Sequence, residues 1–291
     1  MGNMILAFTN FADANTVYTP TLGSGSWSTA LPLTNLQDVR LAKVARSSDV
    51  QLASTKFEID LKTARQLRLF SIPKHTLSTA ALFRIRISNT AGDFTTPVYD
   101  TGWIAVWPVV YPWQSLEWTH PSFWTGRLAP EDAAGYNIGL LHVAATEQRG
   151  RYVLFEIDDT TNTDGYIDLS RLFLATGYQP TKNAAFGFQI SIETETQRER
   201  SLGGVDYFDR REPRRIARMS INNNTVDEVM VNLFEMHRRS GIDGQIMFVF
   251  DPDDTVQMHR RSFLANQRSI NPIDYPYAGR ANATIELQEV L

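Results

Sequence analysis

The residues in this chain that could do chemistry are few and dispersed. Its five histidines, His75, His120, His142, His237 and His259, show no spacing typical of metal ligands. No cysteine is present, which removes thiolate nucleophiles, disulfides and thiolate metal sites together. A G-x-S-x-G elbow, an H-E-x-x-H pair and a phosphate-cradling glycine loop are all missing from the sequence. Asp100 and Glu117 stand among aromatic residues, and two opposed acids are what glycosidic cleavage requires. Their separation is open at this level, and acids in aromatic loops are ordinary. The stretch DDTTNTDG (Asp158–Gly165) invites a calcium site. With Gly165 at the sixth position of an EF-hand, Thr160 takes the first and Arg171 the twelfth, where a carboxylate is required. The register fails at both. The loop therefore reads as a connection between two core strands, with Asn162, Asp164 and Gly165 supplying its turns. DPDD, Asp251–Asp254, reads as a tight acidic turn.

Two stretches suggest binding instead. Between Asp100 and Gly126 lie five of the six tryptophans: Trp103, Trp107, Trp113, Trp118 and Trp124, with Tyr111 among them. Flat aromatic rings stack on the C–H faces of sugars. They also anchor protein interfaces, or pin a loop onto its own domain. All three readings remain open. The second stretch is the charge-dense arm 195–218. It carries Arg198, Arg200, Arg210, Arg211, Arg214 and Arg215, balanced by Glu195, Glu199, Asp206, Asp209 and Glu212. Such balance does not suit a nucleic-acid patch. It suits ion pairs with a neighbouring copy, since the planar fork of arginine holds carboxylates at a defined angle. Tyr207 and Phe208 would be its apolar anchors, and Gly203 and Gly204 its turn. A solvated loop is the simpler alternative.

The elements that must position these stretches are mostly strands. KFEIDL, RQLRLFSI, LFRIRIS, YNIGLLHVAA and RYVLFEI alternate polar and apolar residues, with turn-rich pieces between them. This predicts a mainly β fold: an N-terminal β-sandwich or jelly roll over residues 1–178, then an antiparallel β domain with one packed helix over 186–291. Composition shifts between the two. No tryptophan follows Trp124, and every basic residue after Lys182 is arginine. FGFQISIETET is a clean strand with Phe186, Phe188, Ile190 and Ile192 on one face. NTVDEVMVNLFEMHRRSG predicts a helix over 225–240. Thr225 and Glu228 are set for a capping box, Val226, Val229, Met230, Leu233, Phe234 and His237 form the apolar stripe, and Gly241 provides the C-terminal cap. The net charge of −4 is shared evenly, 14 basic against 16 acidic residues on either side of residue 180, so no basic field for nucleic acid is expected. No apolar run approaches the ~20 residues of a membrane helix. MGNMILAF reads as a first strand rather than a leader.

Three segments, LPLTNLQDVRLAKVARSS, FEIDLKTARQLRLFSIPKHTLSTAALFRIRIS and GRYVLFEIDDTTNTDGYIDLSRLFLATG, together resemble tail-tip proteins of long-tailed bacteriophages. In that family similar segments build a galactose-binding-like jelly roll. The order of elements after residue 186 resembles the tail-tube fold, although ring-forming and jelly-roll domains usually stand in the opposite order there. The resemblance implies a structural, non-enzymatic distal-tail-like protein of the virion. It would form a homo-oligomeric ring, hexameric or trimeric, contacting other tail-tip and tail-tube proteins and needing no cofactor. Contact with host-surface glycan through the tryptophan-rich stretch is the competing expectation.

Overall fold

The computed structural model describes residues 2–14, 17–112, 115–128, 139–254 and 256–291. The chain runs through β1 (Ile5–Ala7), β2 (Thr21–Gly23), β3 (Ala45–Arg46), β4 (Phe57–Ile72), β5 (Leu82–Ser88), β6 (Tyr99–Asp100) and β7 (Ile104–Ala105). There follow β8 (Leu140–Asp158), β9 (Asp168–Leu169), β10 (Phe173–Ala175), β11 (Gln189–Glu193), β12 (Gln197–Arg200) and β13 (Asp206–Asp209). The last strands are β14 (Arg214–Thr225), β15 (Gln245–Val249), β16 (Phe263–Ser269), β17 (Ile273–Tyr277) and β18 (Arg280–Glu289). One helix, α1, spans the consecutive turns Val226–Val229, Met230–Phe234 and Glu235–Ser240, the middle one an i→i+5 turn. This is the mainly β, antiparallel class predicted from the strand periodicity.

The chain forms two compact units, and their boundaries differ from 1–178 and 186–291. Unit 1 holds Thr9–Gly177 and Asp251–Ser262; unit 2 holds Asn3–Phe8, Tyr178–Phe250 and Phe263–Leu291. The first strand therefore belongs to the second unit. Its partner is β15, with Ile5 opposite Val249. A three-residue apolar strand carries no mark of a partner some 240 positions away, which is why sequence order misassigns it.

Unit 1 is built on the order β10-β4-β8-β5-β6, all antiparallel, with β2 on β4 and β7 on β5. Alternation along β4 sends Phe57, Ile59 and Leu61 inward and leaves Glu58 and Asp60 half-buried. Phe57 stacks on Phe155 of β8 at 4.9 Å, and Trp27 meets Phe57 edge-on. Among the described residues this core includes 28 buried apolar side chains.

Unit 2 is the sheet β1-β15-β16-β18-β14-β11, with β17 on β18. Strict alternation in β18 turns Ala281, Ala283, Ile285 and Leu287 to one face. There they share a core with Val229, Leu233 and Met236 of α1. Thr225 caps the helix by accepting from the Glu228 N–H at 3.3 Å. The reciprocal half of the expected box is absent: Glu228 accepts instead from the Tyr178 hydroxyl (2.9 Å) and the Thr181 N–H (2.8 Å). Phe234 is a second departure. It is 44% exposed, and Met236 takes the core position expected of it. Apolar residues cover a wide arc of this helix, so periodicity alone does not locate the centre of the stripe.

Candidate functional site

The Asp158–Gly165 loop is held by its own hydrogen bonds. Asp159 is buried and accepts from the Ser78 N–H (3.0 Å), from Asn162 Nδ2 (2.8 Å) and from the Ser78 hydroxyl. Asn162 Oδ1 in turn accepts from the Asp164 N–H, and Gly165 takes φ +77°. Arg171 is buried and paired with Asp13. Of the acidic turn Asp251–Asp254, Asp251 accepts from the Gly2 N–H and Asp254 from the Val256 and Gln257 N–H groups.

Four of the five histidines and Asp100 are likewise engaged. His75 accepts the Leu77 N–H and meets Trp107 edge-on, and burial pushes its pKa down to about 4. His142 bonds the Tyr99 hydroxyl at 2.8 Å and is also pushed down to about 4 by burial. His237 shares a 2.5 Å bond with Gln267 and is lowered by burial. His120 accepts the Ser122 N–H. Asp100 is gripped by Arg84, which holds its carboxyl below the usual range. Among the described residues no group of three or more His, Asp or Glu is placed to hold a metal ion.

The tryptophan stretch separates into an anchor and a displayed loop. Trp107 is only 7% exposed and donates Nε1–H to the Leu77 carbonyl at 3.1 Å. It is a core residue of unit 1, which corrects its assignment to a partner or glycan surface; an indole reads the same in sequence whichever way it points. Tyr111 is half-buried against the same core, edge-on to His120. Beyond this anchor the chain closes a loop. The Gly126 carbonyl accepts from both the Val110 N–H (2.9 Å) and the Tyr111 N–H (3.0 Å), forming a neck. Gly126 sits at φ +63°, and a Cβ there would meet Val109 Cγ1 at 2.9 Å, so the neck requires glycine. The loop displays Trp118 and Trp124, 77% and 86% exposed. Trp103, before the anchor, is also exposed. Trp113 lies outside the described residues.

Residues 195–218 carry the second candidate site. β11 pairs with β14 from Gln189↔Arg218 to Glu193↔Arg214, and β12 pairs with β13 from Gln197↔Asp209 to Arg200↔Asp206. Three residues on one strand thus oppose four on the other, a one-residue bulge braced by the Arg211 N–H on Thr196 Oγ1 (3.1 Å). The two pairs form one bent ribbon. Its outer half runs from Thr194 to a tip at Leu202, roughly 25 Å at about 3.3 Å per residue. That half is exposed on both faces, including Tyr207 and Phe208 at 63% and 58%. An isolated two-stranded hairpin is marginal in water. Among the described residues, 13 of the 21 exposed large apolar side chains lie in unit 2, the smaller unit.

The arginines of this arm divide by environment. Arg198 pairs with Asp206 at 2.6 Å, and Arg200 reaches the same carboxylate only at 4.0 Å. Arg211 clasps Asp209 at 2.7 Å, and Arg214 stands 3.8 Å from Glu195. Arg210 has no ion-pair partner among the described residues. Arg215 belongs elsewhere. Its Nε donates to the buried Glu289 at 2.9 Å and its guanidinium lies over the Phe263 ring. It is spent inside unit 2, which corrects its place in the expected interface. Sequence alone could not show that the strand closing unit 2 puts a carboxylate opposite it.

No protein-family profile and no curated protein sequence matches this chain. Among solved structures it is similar to the family 32 carbohydrate-binding module of Clostridium perfringens NanJ in complex with galactose. They share 12% identity over 53% of this chain and 92% of that one, with a TM-score of 0.35. It is similar also to a Streptococcus pneumoniae fucose binding module: 12% identity, 58% of this chain, 95% of that one, TM-score 0.35. A third is the lectin binding domain of lectinolysin complexed with Lewis b: 11% identity, 57% and 95% coverage, TM-score 0.35. These neighbours are carbohydrate-binding modules, and none of the three is a phage tail protein. Likeness this slight transfers neither ligand nor residue to this chain.

Proposed function

We propose that this protein binds carbohydrate without cleaving it, through the necked loop of unit 1 and its indoles Trp118 and Trp124. The observation that carries this reading is their exposure on a loop whose base is otherwise anchored. Leaving two of the largest apolar side chains in water forgoes about 1.5–3 kcal/mol or more apiece. An indole held this way offers a flat face to the C–H face of a pyranose. Titrating the full-length chain with a panel of neutral and acidic oligosaccharides, followed by calorimetry, tests it. Trp118→Ala and Trp124→Ala should each weaken binding by tenfold or more with the fold intact, and no new reducing ends should appear. Unchanged affinity in both variants would rule the loop out.

A second reading is compatible with the first and is supported by the exposed arm: a structural subunit of a phage tail tip, assembling as a homo-oligomeric ring. A head-to-tail contact repeated by rotation closes such a ring. The surplus of exposed apolar side chains in unit 2 favours assembly over a solvated loop. Light scattering coupled to gel filtration, with negative-stain imaging, tests it. A monomer at all concentrations would exclude it.

A further inference from the structure

The register of β12 and β13 sorts the arm into two unlike faces. Directly opposed residues of an antiparallel pair point the same way, and alternate residues share a face. Arg198, Arg200, Asp206 and Phe208 therefore share one face, and Gln197, Glu199, Tyr207 and Asp209 share the other. The first face has a net charge of +1 and the second −2. Their internal pairs leave one group on each face with a long contact only or with none. On the basic face Asp206 is taken by Arg198, and Arg200 stands off at 4.0 Å. On the acidic face Asp209 is taken by Arg211, and Glu199 has no ion-pair partner among the described residues. Each face also presents one exposed aromatic ring, Phe208 or Tyr207.

Resting on the assembly reading, we propose that the arm of one copy packs face-on against the arm of the next, with Arg200 of one ion-paired to Glu199 of the other and Phe208 laid against Tyr207. Two faces of a single ribbon that complement each other in charge and match in apolar content can join identical chains only head to tail. Such a contact is heterologous, and it repeats. It would cover on both sides a ribbon that nothing in its own unit covers. The Ser201–Val205 tip, bonded by the Ser201 N–H to the Val205 carbonyl and by the Gly204 N–H to the Ser201 carbonyl, keeps the two strands in register for stacking.

The test uses the full chain and sedimentation velocity from micromolar to several hundred micromolar. Arg200→Glu sets carboxylate against carboxylate across the contact, and Glu199→Arg sets guanidinium against guanidinium. Each should move the assembly midpoint to at least tenfold higher concentration, and raised salt should weaken the wild type in the same direction. The double variant E199R/R200E restores the pair with its sense reversed and should assemble like the wild type. Circular dichroism checks that each variant is folded. A wild type that assembles and is indifferent to both single reversals would overturn the arm-to-arm contact while leaving assembly through another surface. Single variants that dissociate with no rescue in the double would also overturn it. A wild type that stays monomeric throughout would remove the assembly reading itself.

Discussion

Leu233 and Phe234 are adjacent in sequence and opposite in expected consequence. Leu233 has no exposed surface and touches the core built by β14, β18 and α1, whereas Phe234 is substantially exposed on the flank of the helix. Truncating a fully buried leucine forfeits about 1.5–3 kcal/mol of transfer energy. Adding the cavity left in a close-packed interior brings Leu233→Ala to about 2–5 kcal/mol. Phe234→Ala removes a larger side chain but little buried surface and opens no enclosed void, so its cost should stay below about 1 kcal/mol. For a domain the size of unit 2, a loss of 2 kcal/mol lowers the unfolding midpoint by about 10 °C. Urea titration followed by circular dichroism should show the midpoint falling for Leu233→Ala with an unchanged slope, and barely moving for Phe234→Ala. Equal costs would mean that the helix is rotated by about one position and that the core stripe is centred differently.

Arg215→Ala leaves Glu289 buried without its partner and should destabilise unit 2 by about 3 kcal/mol; a loss like that of an exposed arginine would place Arg215 back on the surface. Gly126→Ala should loosen the neck of the tryptophan loop, costing about 1 kcal/mol or more, and weaken glycan binding with Trp118 and Trp124 still present. For pH, burial lowers His142 in the folded state to about 4 from an ordinary 6.5. Its neutral form is favoured by folding, so its contribution is complete above pH 6.5 and declines as pH falls toward 4. His142→Phe should flatten that decline in unfolding experiments between pH 7 and 4, and an unaltered slope would refute the assignment. Asp13 acts in the opposite sense. Burial raises its carboxyl to about 6, so its contribution is present below 3.8 and lost as pH rises through 6.

What was legible in the sequence was what local periodicity encodes. The alternation in KFEIDL and LFRIRIS maps directly onto β4 and β5, and the helix expected around Leu233 is α1, with Met236 rather than Phe234 in its core. Asn162 and Gly165, read as turn formers, do shape the loop, whereas the buried Asp159 that anchors it carries no mark in the sequence. Long-range pairing set what was not legible. β1 finds β15, Glu289 finds Arg215, and Glu228 turns to Tyr178 rather than back to its own cap. Trp107 and Trp118 are the same residue type in the same stretch, yet one lies in the core and the other in solvent. The two faces of the arm follow from register, and register depends on a bulge that no residue pattern announces.

The pairing of β1 with β15 also governs how the chain must be made. Gln245–Val249 leaves the ribosome some 240 residues after its partner Ile5–Ala7. At about 5–20 residues per second that is a wait of roughly 12–50 s. Unit 1 is largely synthesised in that interval and can fold within it. The apolar triplet Ile5–Ala7 meanwhile remains an unpaired strand, open to capture by a chaperone or a neighbouring nascent chain. Once unit 1 is folded, the loop that β1 must close is effectively shorter, because a compact domain replaces most of its length. Maturation of unit 2 would then depend on unit 1 folding first. A permuted chain that moves Asn3–Phe8 to follow Leu291 would remove that dependence and should refold unit 2 faster than the natural order does.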